Sequence, residues 1–211
     1  ITLDLTPQCN NACHHCYSHI PISTVDEIDK ELSFNQWTSI IDQGVAHGAM
    51  WILLTGGEPL LRKDFIELYL YIKRKGLLVS VFTNGTLISM EHMEIFKKYP
   101  PRDLEITVYG VSEYIYNRVT RTKGNFPLFL ASISLLRKHD IPFRLKAMIL
   151  KSNYSEFHAI KEFCEKHTKD YFYFDFQLHL RPDGDPQKNR RIKAERLDAA
   201  QIVALEQEDS V

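Results

Sequence analysis

The stretch MWILLTGGEP, residues 50–59, decides the fold. Its apolar run is too short for a helix and stops at two glycines, which reads as a strand buried in a parallel sheet. Upstream, Ser33 followed three residues later by Gln36 is a capping box, and Phe34, Trp37, Ile40, Ile41 and Val45 recur at helical spacing, so a helix ends near Gly44 or Gly48. Downstream, Asp64 with Glu67 opens a second helix, with Phe65, Leu68 and Ile72 on its apolar face and the basic end KRKG.

The same unit repeats along the chain. ITLDLT at the start alternates apolar and polar residues as a strand does. LLVSVF is a strand, TNG a turn and SMEHMEIFKKY a helix closed by Pro100 and Pro101. LEITVYG is the next strand; a polar loop follows, then a helix over about residues 126–139 with Ile133 and Leu136 inward. FRLKAMIL, a helix capped by Asn153 and Glu156 and running to about His167, and the aromatic strand YFYFDFQLHL complete six strands. Regular alternation implies an α/β domain with a parallel sheet. Six units are too few for an eight-fold barrel, which favours an open partial barrel and leaves a flat doubly wound sheet as the alternative.

Composition excludes several classes. With 211 residues and 44% hydrophobic content the chain can bury a sizeable core. A net charge of -1 and a pI near 6.8 give no global footprint for nucleic acid or an anionic membrane. No apolar run approaches the roughly 20 residues of a bilayer span, and the start lacks a signal-peptide layout, so a cytoplasmic location is expected. RPDGDPQKNR reads as a linker and the stretch from about Ala194 to Glu208 as a last helix. The chain opens inside a strand and closes on EQEDSV, so a piece of a longer protein is expected: residues 1–181 a core, residues 182–211 a linker and helix toward a missing C-terminal region.

The chemistry falls after the strands, where loops of an α/β sheet converge. Cys9, Cys13 and Cys16 follow the first strand in CNNACHHC. Three thiolates at this spacing can hold three irons of a [4Fe-4S] cubane and leave the fourth iron open to an exogenous ligand. A zinc with His14, His15 or His19 as fourth ligand is the alternative. In TGGEP, Gly56 and Gly57 permit close backbone approach and Glu58 can accept hydrogen bonds from an amine, unless the stretch is only a strand-ending turn. Thr83 and Asn84 can line the same cavity or simply form a turn with Gly85. Thr107, Tyr109, His179 and Arg181 stand at other strand ends.

CNNACHHC, TGGEPL, TNGTLI and ITVYG, in this order, resemble the radical S-adenosylmethionine enzymes, and the resemblance covers nearly the whole chain. It implies a partial (β/α)6 TIM-like barrel, a [4Fe-4S] cluster on Cys9, Cys13 and Cys16, and S-adenosylmethionine chelating the open iron. It further implies that Glu58 hydrogen-bonds the methionine amine, with Gly56 and Gly57 beside it, and that Thr107 touches ribose or carboxylate. His15 replaces the family's usual aromatic residue and can still stack on adenine. The reaction implied is reductive cleavage of the cofactor to a 5'-deoxyadenosyl radical that takes hydrogen from a substrate.

YGVSEYIYNRVTRTKGNF and the segments after it resemble the members that modify ribosomally made peptides and continue into a cysteine-rich SPASM domain. A peptide substrate and an external electron donor are the implied partners, with neither nucleic acid nor membrane. Alternatives are a substrate of small-molecule type and a non-catalytic zinc- or cluster-binding module. Arg118, in the loop after the fourth strand, can hold a cofactor carboxylate or be a solvated charge, and Arg181 and Asp183 share that ambiguity. The YFYFDF side chains and Cys164 read as core, and His47, His92, His139 and His158 as helix-surface residues.

Overall fold

A computed structural model describes residues 1–18, 20–21, 31–168 and 172–209. Six strands, β1 (Thr2–Asp4), β2 (Trp51–Thr55), β3 (Leu78–Thr83), β4 (Asp103–Val108), β5 (Arg144–Met148) and β6 (Phe172–Asp175), form one sheet. Every neighbouring pair is parallel, and the spatial order follows the chain order without a reversal. A doubly wound sheet reverses its order at a switch point; an unbroken order is that of a barrel. The fold is therefore a partial (β/α)6 barrel.

The eight helices of the described residues are α1 (Phe34–Ala46), α2 (Phe65–Arg74), α3 (Met90–Lys98), α4 (Glu113–Thr120), α5 (Asn125–Lys138), α6 (Phe157–His167), α7 (Pro186–Ala194) and α8 (Ala199–Asp209). The strands bury alternate residues against the helical layer: Ile52, Leu54, Val79, Val81, Leu104, Ile106, Leu145 and Ala147 are all sealed from solvent. Each such aliphatic side chain contributes roughly 1.5–3 kcal/mol through burial. The intervening residues face the barrel interior, where Leu53, Glu105, Thr107, Lys146 and Met148 are only half-buried and Trp51 is exposed. The apolar run of β2 is thus fully buried on one face alone.

Helix starts follow their caps. Ser33 and Gln36 make the reciprocal box at α1, with Ser33 N donating to Gln36 Oε1 at 2.9 Å. Asp64 does not cap α2; its carboxylate instead holds the Arg62 guanidinium at 2.7 and 2.9 Å. Asn153 and Glu156 do not form a box either. Asn153 is fully buried, accepts from Leu150 N at 2.7 Å and donates to the carbonyls of Tyr109 and Met148, while Glu156 accepts from Val111 N at 2.8 Å. Both side chains tie the ends of β4 and β5 together.

Two segments expected to be irregular are helical. The polar loop after β4 contains α4, started by Ser112, whose Oγ accepts from Ile115 N. The linker-like stretch contains α7, where Asp185 accepts from Gln187 N and Lys188 N ahead of Pro186 at the first position. Ile115 and Val119 of α4, Ile192 of α7, Leu150 and Leu178 form a second apolar cluster beside the main core. His92 is not a surface residue: it is buried, and its Nδ1 accepts from Ser89 N at 3.2 Å at the start of α3. Cys164 is buried in α6 as expected. The side chains of residues 172–174 lie outside the described residues, as does His19.

Candidate functional site

At the C-terminal ends of the strands a cavity of about 210 Å³ opens into the barrel. Its wall includes Cys9, Cys13, His15, Cys16, Gly56, Gly57, Thr83, Asn84, Thr107, Tyr109 and His179, so the structure unites eleven residues that the sequence marks as chemical.

The cysteine loop is held from two sides. Ala12 N donates to Thr120 O at 2.8 Å and His14 N to Val119 O at 3.2 Å, which hangs the loop on the end of α4. Asn125 Nδ2 donates to Asn10 O at 3.1 Å and Asn11 Oδ1 at 2.7 Å, and Asn84 Nδ2 to Asn10 Oδ1 at 2.8 Å. Asn10, Asn11 and Asn125 are missed by motif reading, although the paired asparagines between the first two cysteines are a visible signal of a hydrogen-bonded loop.

Burial pushes the Cys9 thiol up to about 12, with the nearby Glu58 adding to it, and pushes Cys13 well above its ordinary value, with Cys16 and Cys9 adding to it. Such thiols give up their protons only to a metal that replaces the lost solvation. A mononuclear zinc needs all its donors within about 2.0–2.3 Å of one point, whereas a cubane offers a separate iron to each sulfur. The donor set fits the cubane.

Gly56 and Gly57 press their backbone on the segment that delivers Cys9. Gly57 N donates to Thr6 O at 2.6 Å and Glu58 N to Gln8 O at 2.8 Å, and Gly56 has φ 138°, a region L side chains avoid. Glu58 sits at the centre of a hydrogen-bond cluster. It is fully buried behind the cavity wall, where its carboxylate accepts from Thr83 Oγ1 at 2.7 Å, Asn84 N at 2.7 Å and Leu60 N at 3.1 Å. Three of the protein's own donors thus meet its two oxygens, two on Oε1 and one on Oε2. Burial drives its pKa to about 7 against the pull of these three bonds.

Thr83 and Asn84 do both things expected of them: they line the cavity, and Gly85 N donates to Thr83 Oγ1 while Thr86 N donates to Asn84 Oδ1 in a tight turn. Thr107 lines the cavity from β4. His15 does so with its ring 5.8 Å from that of Tyr109; burial lowers its pKa to about 4, so the imidazole is neutral, and its Nδ1 is buried with no partner among the described residues.

Arg118 lies on α4 rather than in a loop, exposed in a separate surface hollow with Tyr114, Asn117 and Arg121, away from the cavity wall. Arg181 and Asp183 pair with each other at 2.6 Å outside the cavity. Glu105, Lys146 and Gln177, not singled out by sequence, also line the wall.

A family profile described as the Radical SAM superfamily matches residues 3–164, most of the chain. The chain belongs to the radical SAM superfamily. The cofactors of this superfamily are a [4Fe-4S] cluster and S-adenosylmethionine. Among its curated relatives, an AdoMet-dependent heme synthase of Methanosarcina barkeri is 33% identical over 156 residues, 74% of this chain and 44% of its own. The sporulation killing factor maturation protein SkfB of Bacillus subtilis is 31% identical over 163 residues, 77% of this chain and 38% of its own. The crystal structure of Streptococcus suis SuiB bound to S-adenosylmethionine superposes with a TM-score of 0.67 at 16% identity, over 91% of this chain and 42% of that one, a likeness of fold. This radical SAM chain spans less than half the length of each.

Proposed function

We propose that this chain is the catalytic core of a radical SAM enzyme, in which Cys9, Cys13 and Cys16 hold a [4Fe-4S] cluster and S-adenosylmethionine binds beside it. The observation that carries this reading is the meeting of three thiols with the Gly56–Gly57 backbone in a single cavity at the strand ends. A cluster held by these three thiols would, when reduced, supply the electron for reductive cleavage of S-adenosylmethionine. The protein's own part is placement and shielding. Gly56 and Gly57 give a flat backbone surface for the methionine end, and Thr83, Asn84, Thr107 and the neutral His15 ring line the nucleoside end. Glu58 works from behind the wall, fixing Thr83 and the Asn84 backbone that line the cavity. Arg118 stands too far out on α4 to be assigned a cofactor contact.

The substrate proposed is a ribosomally made peptide, and an external donor supplies the electron. Relatives named as peptide-maturing proteins, SkfB and the subtilosin biosynthesis protein AlbA, and the SuiB structure with its precursor peptide support that reading. The identity to heme synthases favours a second one, a tetrapyrrole substrate. Residues 1–181 are taken as the core, with residues 182–211 leading to a further C-terminal region, as the greater length of the relatives suggests. A cytoplasmic site is proposed because clustered thiols need a reducing compartment; no helix among the described residues is long and apolar enough to cross a membrane.

Anaerobic reconstitution with iron and sulfide tests the proposal. It should yield about four irons per chain and release 5'-deoxyadenosine from S-adenosylmethionine under a strong reductant. A folded chain that binds a single tight zinc and cleaves no cofactor would establish the non-catalytic module instead.

A further inference from the structure

Two residues below Thr107 on the interior face of β4, Glu105 points into the cavity. At the strand repeat this puts it roughly 6.6 Å deeper than Thr107, beneath the level of the cysteine loop. It is half-buried and has no hydrogen-bond or ion-pair partner among the described residues. The charges around it are committed elsewhere. Lys146 Nζ, on the adjacent strand, stands 3.4 Å from Asp175 Oδ2, and Arg144, the register partner of Glu105 on that strand, 2.9 Å from Asp103 Oδ1. Asp103 also accepts from Ser80 Oγ at 2.8 Å. Around Glu105 three carboxylates, its own and those of Asp103 and Asp175, share two cations, Lys146 and Arg144, and the cavity wall includes the apolar surfaces of Phe82, Met148 and Leu178.

A carboxylate drawn out of water without a partner is costly unless a ligand brings one. We propose that Glu105 anchors the substrate, its carboxylate receiving an ammonium or guanidinium carried on an apolar stem, so that the substrate presents a lysine- or arginine-like side chain. This deepens the peptide reading and rests on the cavity being the substrate site. Burial already pushes the Glu105 carboxyl above its ordinary value, against Lys146 and Arg144, and a bound cation offsets that desolvation. A tetrapyrrole, whose rim carries carboxylates, meets like charge at the same place.

The test is titration calorimetry of the wild-type chain, both metal-free and reconstituted, with Nα-acetyl-lysine N-methylamide, its norleucine isostere and coproporphyrin III as probes. The lysine probe should bind about 10-fold or more tighter than norleucine, E105Q should bring the two close to equal, and K146Q, which removes one of the two cations beside these carboxylates, should tighten the lysine probe. Circular dichroism and iron content report whether each variant is folded; K146Q carries the test if E105Q is not. No lysine preference in the wild type, a preference that survives in E105Q, no tightening in K146Q, or tighter binding of the porphyrin overturns the proposal. Failure of the radical SAM reading shows separately, as missing iron or missing cofactor cleavage in the wild type.

Discussion

Thr83 Oγ1 donates to Oε1 of Glu58 at 2.7 Å, a buried bond that ties the end of β3 to the turn after β2 beneath the cavity. The other carboxylate oxygen takes Asn84 N at 2.7 Å. In E58Q the shape is kept, but an amide N–H2 replaces one acceptor and faces the Asn84 N–H. Leaving that buried donor unmet costs about 1–3 kcal/mol, read as a lower midpoint in urea unfolding with little change in slope. Because Asn84 also holds Asn10 in the cysteine loop, E58Q should retain less iron after reconstitution as well.

Replacing Cys9, Cys13 or Cys16 singly by alanine should remove the cluster, seen as loss of its visible absorption and a fall in iron to near background. C164A is the matched control. Cys164 is buried in α6 away from the cavity, so the variant should load iron normally and lose only packing energy, about 1 kcal/mol.

G57A tests the backbone approach that delivers Cys9. A Cβ on Gly57 would be driven into the main-chain carbonyl of Gln8, one residue before the first thiol. Neither partner is a flexible side-chain end, so the segment must move. The expected result is a thermal midpoint several degrees lower, for a loss of a few kcal/mol, together with reduced iron loading. G48A, where nothing lies within 4 Å but φ is +85°, should cost about 1 kcal/mol and leave iron content alone.

His92 makes stability depend on pH. Burial lowers its pKa from the ordinary 6.5, so below that value the unfolded imidazole takes up a proton that the folded one refuses. Stability contributed by the neutral ring is therefore complete above about pH 6.5 and falls as acid is added toward the lower folded value. H92Q keeps a side chain that can accept from Ser89 N at the third helical position and does not titrate. Urea midpoints at pH 7.5 and 5.5 should differ less in H92Q than in the wild type.

The sequence reveals the barrel because its strands carry a strict set of aliphatic residues toward the helices, such as Ile52 and Leu54, Val79 and Val81, Ile106 and Val108. It reveals the cysteine loop and the two glycines because each is a local pattern with its own chemistry. What it hides depends on contacts distant in the chain. The helices α4 and α7 are short and charged, EYIYNRVT and PQKNRRIKA, and become ordered by placing Ile115, Val119 and Ile192 in a common apolar cluster that neither segment announces. His92 looks like a surface residue until Phe65 and Phe96 close over it. Alternation along β4 says that Glu105 and Thr107 share a face, but only the assembled barrel shows that this face lines a cavity. Glu58 carries the motif, yet the direction of its carboxylate is set by Thr83 and Asn84, about 25 residues further on.

The asparagine clamp on the cysteine loop also sets an order in time. Asn125 grips Asn10 and Asn11 across 115 and 114 residues of chain. At about 5–20 residues per second of ribosomal synthesis, the three sulfurs emerge roughly 6–23 s before the side chain that shapes their loop. Iron delivered to the nascent chain meets thiols on a floppy tether; iron delivered after release meets a finished socket.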